Sequence, residues 1–170
     1  MVNAPEAQSL SFDDLPLAPQ MKDILRDLKF VTPTPIQVKA IPVAITGGDV
    51  IGIAQTGTGK TLAFGLPMIE RLARHKGRGL VILPTRELAL QVEEELRKFG
   101  GKLGMKSVVL IGGANMGKQI RDLKAKPHVI ICTPGRLIDH MEQKTVSLAD
   151  VKILVLDEAD RMLTWASLHS

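Results

Sequence analysis

The sequence predicts an α/β fold in which a mostly parallel sheet is covered by helices on both faces. Short apolar runs rich in Val and Ile alternate with segments of helical periodicity. The runs are apolar at successive positions, as a strand buried on both faces requires. Regular alternation of strand and helix implies right-handed βαβ units and a doubly wound arrangement. The predicted strands are Val50–Ala54, Leu80–Leu83, Ser107–Ile111, His128–Cys132 and Lys152–Leu156.

Helices are predicted where apolar residues recur three and four positions apart, because that spacing places them on one face. We expect Pro67 to kink the helix that contains it, since proline removes a backbone donor. Gly100 and Gly101 are expected to end another helix. Three helices are predicted: one begins after Pro19, and the others are Thr61–Arg74 and Glu87–Phe99.

Length and composition are typical of one globular domain, with 170 residues, 45% of them hydrophobic and 24% charged. The net charge of +4 is compatible with a polyanionic partner but does not require one. Cys132 is the single cysteine and lies in an apolar run, which excludes an internal disulfide and predicts a buried thiol. We see no signal peptide and no apolar stretch of the ~20 residues that a membrane span needs, so a cytoplasmic protein is expected.

A glycine-rich loop follows the first predicted strand and reads Ala54-Gln55-Thr56-Gly57-Thr58-Gly59-Lys60-Thr61. Backbone N–H groups of such a loop, and of the helix after it, can surround phosphate oxygens. Lys60 can then neutralise the β- and γ-phosphates, and the Thr61 hydroxyl can bind Mg²⁺. The general P-loop pattern begins with Gly, where this chain has Ala54, so a chance glycine-rich turn is the alternative.

An acidic turn, Asp157-Glu158-Ala159-Asp160, follows the last predicted strand. Ligands of open α/β sheets bind at the carboxyl ends of strands, which favours a metal role for Asp157 beside the P-loop. Glu158 could orient and polarise an attacking water molecule. A solvated acidic turn is the alternative for this segment alone, but chance would have to produce both halves of one site.

With both motifs in place, the sequence resembles the DEAD-box family of ATP-dependent RNA helicases from Phe12 to Leu163. The four residues from Asp157 to Asp160 spell the family name, and a P-loop that begins with Ala is the family's usual form. The resemblance implies a RecA-like domain over residues 12–163, with ATP and Mg²⁺ as cofactors. It implies a role for Asp160 in coupling to a second domain. Residues 1–11 are expected to be flexible, and residues 164–170 do not match the family.

A segment upstream of the loop, Phe30–Gln37, resembles the family's Q motif, whose Gln reads adenine. A carboxamide suits this task because it offers both a donor and an acceptor to the base edge. Phe30 can supply an apolar surface to the base, and Phe12 is similar to the family's isolated upstream aromatic residue. Core packing is the alternative for both phenylalanines. Lys29 stands where the family usually has Gly.

Three further segments resemble the family's RNA contacts, and each follows a predicted strand. We call them the rim: Pro84-Thr85-Arg86, Gly112-Gly113 and Thr133-Pro134-Gly135-Arg136. Small turns, helix starts and the two arginines suit phosphate, and no residue of the rim is an obvious reader of base edges. RNA binding is therefore expected to be largely independent of sequence. Alternatively, Thr133-Pro134 is an ordinary helix start and Arg86 pairs with a nearby carboxylate.

The family also has a Ser-Ala-Thr motif and a second RecA-like domain, which this sequence lacks. We therefore expect the chain alone to bind nucleotide, to hydrolyse ATP poorly and to unwind nothing. In the family the Ser-Ala-Thr strand lies between the P-loop strand and the strand that precedes the acidic turn. Its loss predicts weak stability, an oligomer that fills the gap, or a rearranged sheet.

Two rival functions remain at this stage. A P-loop kinase or a GTPase-like switch would need an acceptor pocket or an Asn-Lys-x-Asp segment, and neither is evident. A non-enzymatic module that binds RNA or a partner is the other rival. The histidines His75, His128, His140 and His169 have no ligand spacing, so no metal site is predicted from them.

Overall fold

The computed structural model describes residues 10–52, 59–160 and 162, which belong to two compact units, Met1–Glu70 and Arg71–Ser170. Predictions that concern residues 1–9, 53–58 and 163–170 lie outside the described residues.

The first unit is helical over its described residues. Helices α1 and α2 each begin with proline, whose fixed φ suits the first helical position. Glu70, which is buried, accepts the backbone N–H of Ala18 at 2.7 Å and so satisfies a group just before α1. The apolar faces supply a core that includes Met21, Leu25 and Ile41. The helices are α1 (Pro19–Asp27), α2 (Pro35–Ile45) and α3 (Lys60–Arg74), whose last turn belongs to the second unit.

Helix α1 ends in a left-handed turn. Lys29 has φ +62°, and its N–H donates to the carbonyl of Arg26 at 2.9 Å. The N–H of Phe30 reaches back to the carbonyl of Leu25 at 2.8 Å, which completes a Schellman motif. Glycine suits this position because it has no Cβ, which explains why a Gly is usual there in the family that the sequence resembles.

The predicted strand Val50–Ala54 is wrong for its described part, because Val50, Ile51 and Gly52 are not in a strand. Ile51 is 95% exposed and Val50 is 42% exposed. An apolar run becomes a strand only when neighbouring strands satisfy its backbone, and the first unit offers no strand among its described residues.

The second unit alternates strand and helix as the sequence predicts. Its elements are β1 (Arg78–Ile82), α4 (Arg86–Gly100), β2 (Ser107–Leu110), α5 (Met116–Lys124), β3 (Val129–Cys132), α6 (Pro134–Glu142) and β4 (Val151–Leu156). Helix α4 matches the predicted Glu87–Phe99 to within a residue at each end, and α3 begins one residue before the predicted Thr61. Pro67 lies inside α3, which is a single helix, so the proline does not end it.

The four strands form one parallel sheet in the order β2-β3-β1-β4, which confirms the predicted α/β class. Every residue of β3 is buried, so both faces of the sheet are covered at its centre. Leu80, Leu110 and Ile130 belong to one core cluster in which Val108, Leu123, Cys132 and Leu137 also pack. The sheet therefore has the near-continuous apolar strands of a doubly covered parallel sheet.

Strand β4 is less protected than β3. Alternate residues are exposed, and Leu154 and Leu156 are each more than half exposed. Among the described residues β4 pairs with β1 alone, so one of its edges has no partner strand there. An unpaired apolar edge is a template for association with another chain, and the oligomer remains a prediction.

Candidate functional site

The first unit contains the end of the glycine-rich loop. Gly59 has φ +83° and precedes Lys60, the first residue of α3, with Thr61 next. The Gly59 carbonyl accepts the N–H of Ala63 at 3.2 Å, so the first turn of the helix is formed. A helix N-terminus of this kind favours an anion. The other predicted loop residues, Ala54, Gln55, Thr56, Gly57 and Thr58, lie outside the described residues.

Gln37 is 3% exposed and connects two predicted nucleotide-binding segments. Its Oε1 accepts the N–H of Thr34 at 2.8 Å, and its Nε2 donates to the Gly59 carbonyl at 3.1 Å. A methyl group on Gly59 would lie 2.5 Å from that nitrogen, so only glycine allows the approach. These bonds use one N–H and one lone pair, which leaves the carboxamide one more donor and further acceptor capacity. Its adenine-reading role remains a prediction.

The two predicted base-contacting aromatics meet edge to face. The ring centroids of Phe12 and Phe30 are 6.5 Å apart at an interplanar angle of 85°. Phe12 is 3% exposed, whereas Phe30 is 41% exposed, so Phe30 alone presents a ring surface to solvent. The N–H of Phe12 also donates to the carbonyl of Val31 at 3.0 Å. Phe12 is therefore a core residue that packs against Phe30, which is the core-packing alternative for Phe12.

In the second unit, the carboxyl ends of all four strands lie at one edge of the sheet, and the three rim segments begin there. The backbone hydrogen bonds between neighbouring strands continue into these segments. Leu83 N–H donates to the Cys132 carbonyl at 2.9 Å, and Thr133 N–H donates to the Leu110 carbonyl at 3.1 Å. Asp157 N–H likewise donates to the Ile82 carbonyl at 3.1 Å. The structure thus brings the rim and the acidic turn to one edge of one sheet.

The side chain of Arg86 lies against Gly113, the second residue of the glycine pair. Gly113 has φ +74°, and a methyl group there would lie 2.5 Å from Arg86 Nη1 and 3.2 Å from its Cζ. Arg86 is exposed and opens α4, whose N-cap Thr85 accepts the N–H of Leu88 at 3.3 Å. Gly112, by contrast, has nothing close to the position of a Cβ. The guanidinium and the N-terminus of α4 together form a positive corner beside the Gly113 turn.

Arg136 has a more enclosed setting than Arg86. Its side chain is 13% exposed, with Nε 3.7 Å from Asp139 Oδ2 and Nη1 3.8 Å from Met116 Sδ. The Thr133 backbone caps the start of α6, and Pro134 occupies its first position. Arg136 therefore packs between α6 and the start of α5, so it is less accessible than Arg86.

The acidic turn follows β4 immediately. Asp157 and Glu158 are half-buried, and Asp160 is exposed. Glu158 has φ +54°, a left-handed conformation that costs a residue with a Cβ about 1–2 kcal/mol. Such strain recurs where a side chain must be aimed at a ligand. The coupling role of Asp160 remains a prediction.

No group of three or more His, Cys, Asp or Glu side chains that could hold a metal occurs among the described residues. The roles of Thr61, in the first unit, and of Asp157, in the second, as Mg²⁺ ligands remain predictions; each offers oxygen, the donor type that Mg²⁺ prefers. Cys132 is buried in β3, and burial raises the pKa of its thiol to about 12. In the part of the chain that the structure describes, no helix is long and apolar enough to cross a membrane.

Sequence reasoning missed a buried polar group. His140 is completely buried on α6, and Gln119 is buried on α5. Their side chains hydrogen-bond to each other although the residues are 21 positions apart. The spacing of His140 is not that of a metal ligand, and nothing in the local sequence pattern reveals this partner.

A parallel sheet with an acidic turn at a strand end, and a helix that begins at Lys60 directly after a glycine, are typical of P-loop α/β proteins, a nucleotide-binding class. Residues 34–169 match the sequence profile of the DEAD/DEAH box helicases. The chain belongs to the DEAD/DEAH box helicase family.

Individual relatives are similar over nearly the whole chain. The ATP-dependent rRNA helicase RRP3 of Debaryomyces hansenii is 48% identical over 93% of this chain, and that of Saccharomyces cerevisiae is 49% identical over 90%. The chain spans about a third of these relatives, 34% and 31% of their length. A solved DEAD box protein from Methanococcus jannaschii superposes with a TM-score of 0.85 at 35% identity, covering 94% of this chain and 44% of that one.

Proposed function

We propose that this chain is the ATP- and RNA-binding first RecA-like domain of a DEAD-box RNA helicase, which uses ATP to remodel RNA. The observation that carries the proposal is the edge of the sheet in the second unit, where the rim and the acidic turn follow neighbouring parallel strands. Exposed turns, helix starts and Arg86 offer donors to phosphate oxygens, and the rim has no obvious reader of base edges. Binding to single-stranded RNA should therefore depend on salt more than on sequence.

The first unit supplies the groups for nucleotide binding. Lys60 would neutralise the phosphates, and the N–H groups at the start of α3 would donate to their oxygens. Gln37 would recognise adenine with the donor and acceptor that its bonds to Thr34 and Gly59 leave over. Because those bonds fix the carboxamide, ATP should be preferred over GTP. Phe30 would contact the face of the base.

The hydrolytic roles fall to the acidic turn and to Thr61. Asp157 and the Thr61 hydroxyl would hold Mg²⁺, which neutralises charge on the phosphates when it is bound. Glu158 would orient and polarise the attacking water, and the left-handed φ of this residue sets the direction of its carboxylate.

A second RecA-like domain would be needed for efficient turnover. Such a partner would supply arginine side chains for the transition state, a contribution of about 10³–10⁵ in rate in related NTPases. Asp160, which is exposed, would take part in coupling to it. The isolated chain should therefore bind ATP and RNA while hydrolysing ATP slowly.

The test is a titration of the 170-residue chain with ATP and with GTP, each with and without single-stranded RNA. ATP should bind more tightly than GTP, and Lys60→Ala should abolish the binding. Because the curated relatives are named rRNA helicases, fragments of ribosomal RNA should be compared with an oligouridine of equal length. Equal affinity for the two RNAs is expected, and failure of the chain to bind either RNA would refute the proposal.

A substitution of Glu158 distinguishes an ATPase from a module that only binds ATP and RNA. Glu158→Gln should leave ATP affinity within about twofold of wild type while removing the slow hydrolysis, since one hydrogen-bonding group replaces a base of similar size. A pure binding module would show no hydrolysis to lose. Robust RNA-stimulated turnover by the wild-type chain would contradict the need for a second domain.

A further inference from the structure

A buried polar network runs through the second unit beneath the rim. His140 Nε2 is 2.8 Å from Gln119 Oε1, and Gln119 Nε2 donates to the Ile111 carbonyl at 2.9 Å. On the other side of the ring, His140 Nδ1 is 2.7 Å from Thr145 Oγ1. Both long side chains are buried, at 0% exposed for His140 and 4% for Gln119.

The chemistry of the partners determines which atoms donate. A backbone carbonyl only accepts, so the amide nitrogen of Gln119 faces Ile111 and its oxygen faces the ring. That oxygen also only accepts, so His140 Nε2 carries a proton. Burial lowers the pKa of His140, as does the nearby Arg136 charge, although Asp139 opposes this, and the ring is therefore neutral at pH 7. Nδ1 then accepts the hydroxyl proton of Thr145.

The backbone at the end of α6 supports this assignment. The His140 carbonyl already accepts the N–H of Thr145 at 3.0 Å, so it does not depend on the hydroxyl 3.1 Å away. The hydroxyl is thus available to the ring. Each polar atom of the network has a partner, which is the condition under which a buried polar cluster fixes one geometry.

The network joins elements that carry two of the rim segments. Ile111 is directly followed by Gly112-Gly113, and α6, which carries His140, begins at the Thr133–Arg136 segment. Gln119 lies on α5, the helix that follows the glycine pair. One continuous set of hydrogen bonds therefore connects the turn after β2 with the helix after β3, and none of its members lies in the rim.

We propose that Gln119 and His140 are positioning residues that set the spacing between Gly112-Gly113 and Thr133–Arg136 for binding to the phosphate backbone of single-stranded RNA. This inference rests on the proposed RNA-binding function. Apolar side chains of similar size could fill the same space, but they would leave the Ile111 carbonyl without its donor and the two segments without a fixed register. Neither residue would contact RNA, since both are buried.

The experiment compares RNA and ATP affinities of the full chain with those of Gln119→Leu and His140→Leu, using a fluorescein-labelled oligouridine and fluorescence anisotropy. Both variants should weaken RNA binding about tenfold, within the range by which coupled networks modulate affinity. Affinity for ATP should stay at the wild-type value, because the network belongs to the second unit and touches none of the predicted nucleotide ligands. A general loss of structure would lower both affinities.

Conservative and matched variants sharpen the test. His140→Gln keeps a donor for Gln119 and should restore RNA binding to within about twofold of wild type. Ser107→Ala removes the hydrogen bond to Glu93 at the opposite end of β2 and should leave RNA binding unchanged. Thr145→Val keeps side-chain volume and removes the hydroxyl, so it carries the test if the leucine variants do not fold, with a loss of about threefold.

The ¹⁵N NMR chemical shifts of the His140 ring provide an independent test, and they should show Nε2 protonated and Nδ1 unprotonated at pH 7. The opposite tautomer would refute the network. Wild-type RNA affinity in folded Gln119→Leu and His140→Leu, or an equal loss in Ser107→Ala, would overturn the positioning role while leaving the proposed function intact. Absence of RNA binding by the wild-type chain with normal ATP binding would instead reject the RNA-binding function and this inference with it.

Discussion

Gly113→Ala tests whether the approach of Arg86 to the glycine turn matters for RNA binding. Gly113 has φ +74°, so a Cβ there introduces left-handed strain of about 1–2 kcal/mol. The same Cβ would lie 2.5 Å from Arg86 Nη1, well inside van der Waals contact. Because Nη1 is the tip of a flexible side chain, the guanidinium should move aside by about 1 Å while the backbone persists.

The expected effect has two separable parts. Strain should lower the melting temperature by about 2–4 °C per kcal/mol in a domain of this size. Displacement of Arg86 should weaken RNA binding about tenfold, or 1.4 kcal/mol, the order of one charge-assisted contact. Loss of one phosphate contact should also reduce the slope of log K against log salt by about 0.7 for single-stranded RNA.

The assay is anisotropy of labelled oligouridine over a series of salt concentrations, with melting curves for each variant. Gly104→Ala is the matched control, because Gly104 has φ +77° and nothing near its Cβ position. It should show the melting shift with wild-type RNA affinity. In an Arg86→Ala background, Gly113→Ala should cost stability but no further affinity. An unchanged salt slope in Gly113→Ala, or an equal affinity loss without Arg86, would refute the reasoning.

Three further outcomes are expected. Lys29→Gly should raise stability by about 1 kcal/mol, measured by urea melts, because glycine relieves the φ of +62° that ends α1; no gain would contradict the assignment. Cys132 should resist iodoacetamide at pH 8 until the chain unfolds, since burial raises its pKa to about 12, and alkylation at the rate of a free thiol would be inconsistent with this. The pKa of His140 is lowered in the folded chain, so neutral His140 should stabilise the fold fully above pH 6.5, the ordinary pKa, and its contribution should decline as pH falls from there through the lowered pKa. His140→Gln should remove this part of the dependence of unfolding free energy on pH.

The second unit could be predicted closely because its strands are self-evident in the sequence. Runs such as Val129–Cys132 are apolar at every position, and the structure buries all of them. The loops between these elements have one to eight residues, which leaves little choice of topology for parallel strands and their helices. The common location of the three rim segments followed from this topology, since the carboxyl ends of parallel strands lie at the same end of a sheet.

The first unit was harder to predict because its features depend on contacts rather than on periodicity. Val50–Ala54 has the composition of a strand, but composition does not supply neighbours, and Ile51 is nearly fully exposed. Gln37 bonds to Thr34 and Gly59, contacts that the predicted role in reading adenine does not reveal. Hydrogen-bond partners 22 positions apart, like the His140 partner on α5, leave no signal in local spacing.

The described residues other than glycine that have a positive φ fall into two groups. Lys29, Lys126 and Lys144 follow the ends of α1, α5 and α6, where a positive side chain also complements the helix dipole. Glycine could replace each of them and relieve the strain. Glu158 ends no helix, and glycine there would remove the carboxylate that the proposed chemistry requires. The proposed role of Glu158, which depends on the direction of its side chain, would account for a glutamate in a conformation that suits glycine.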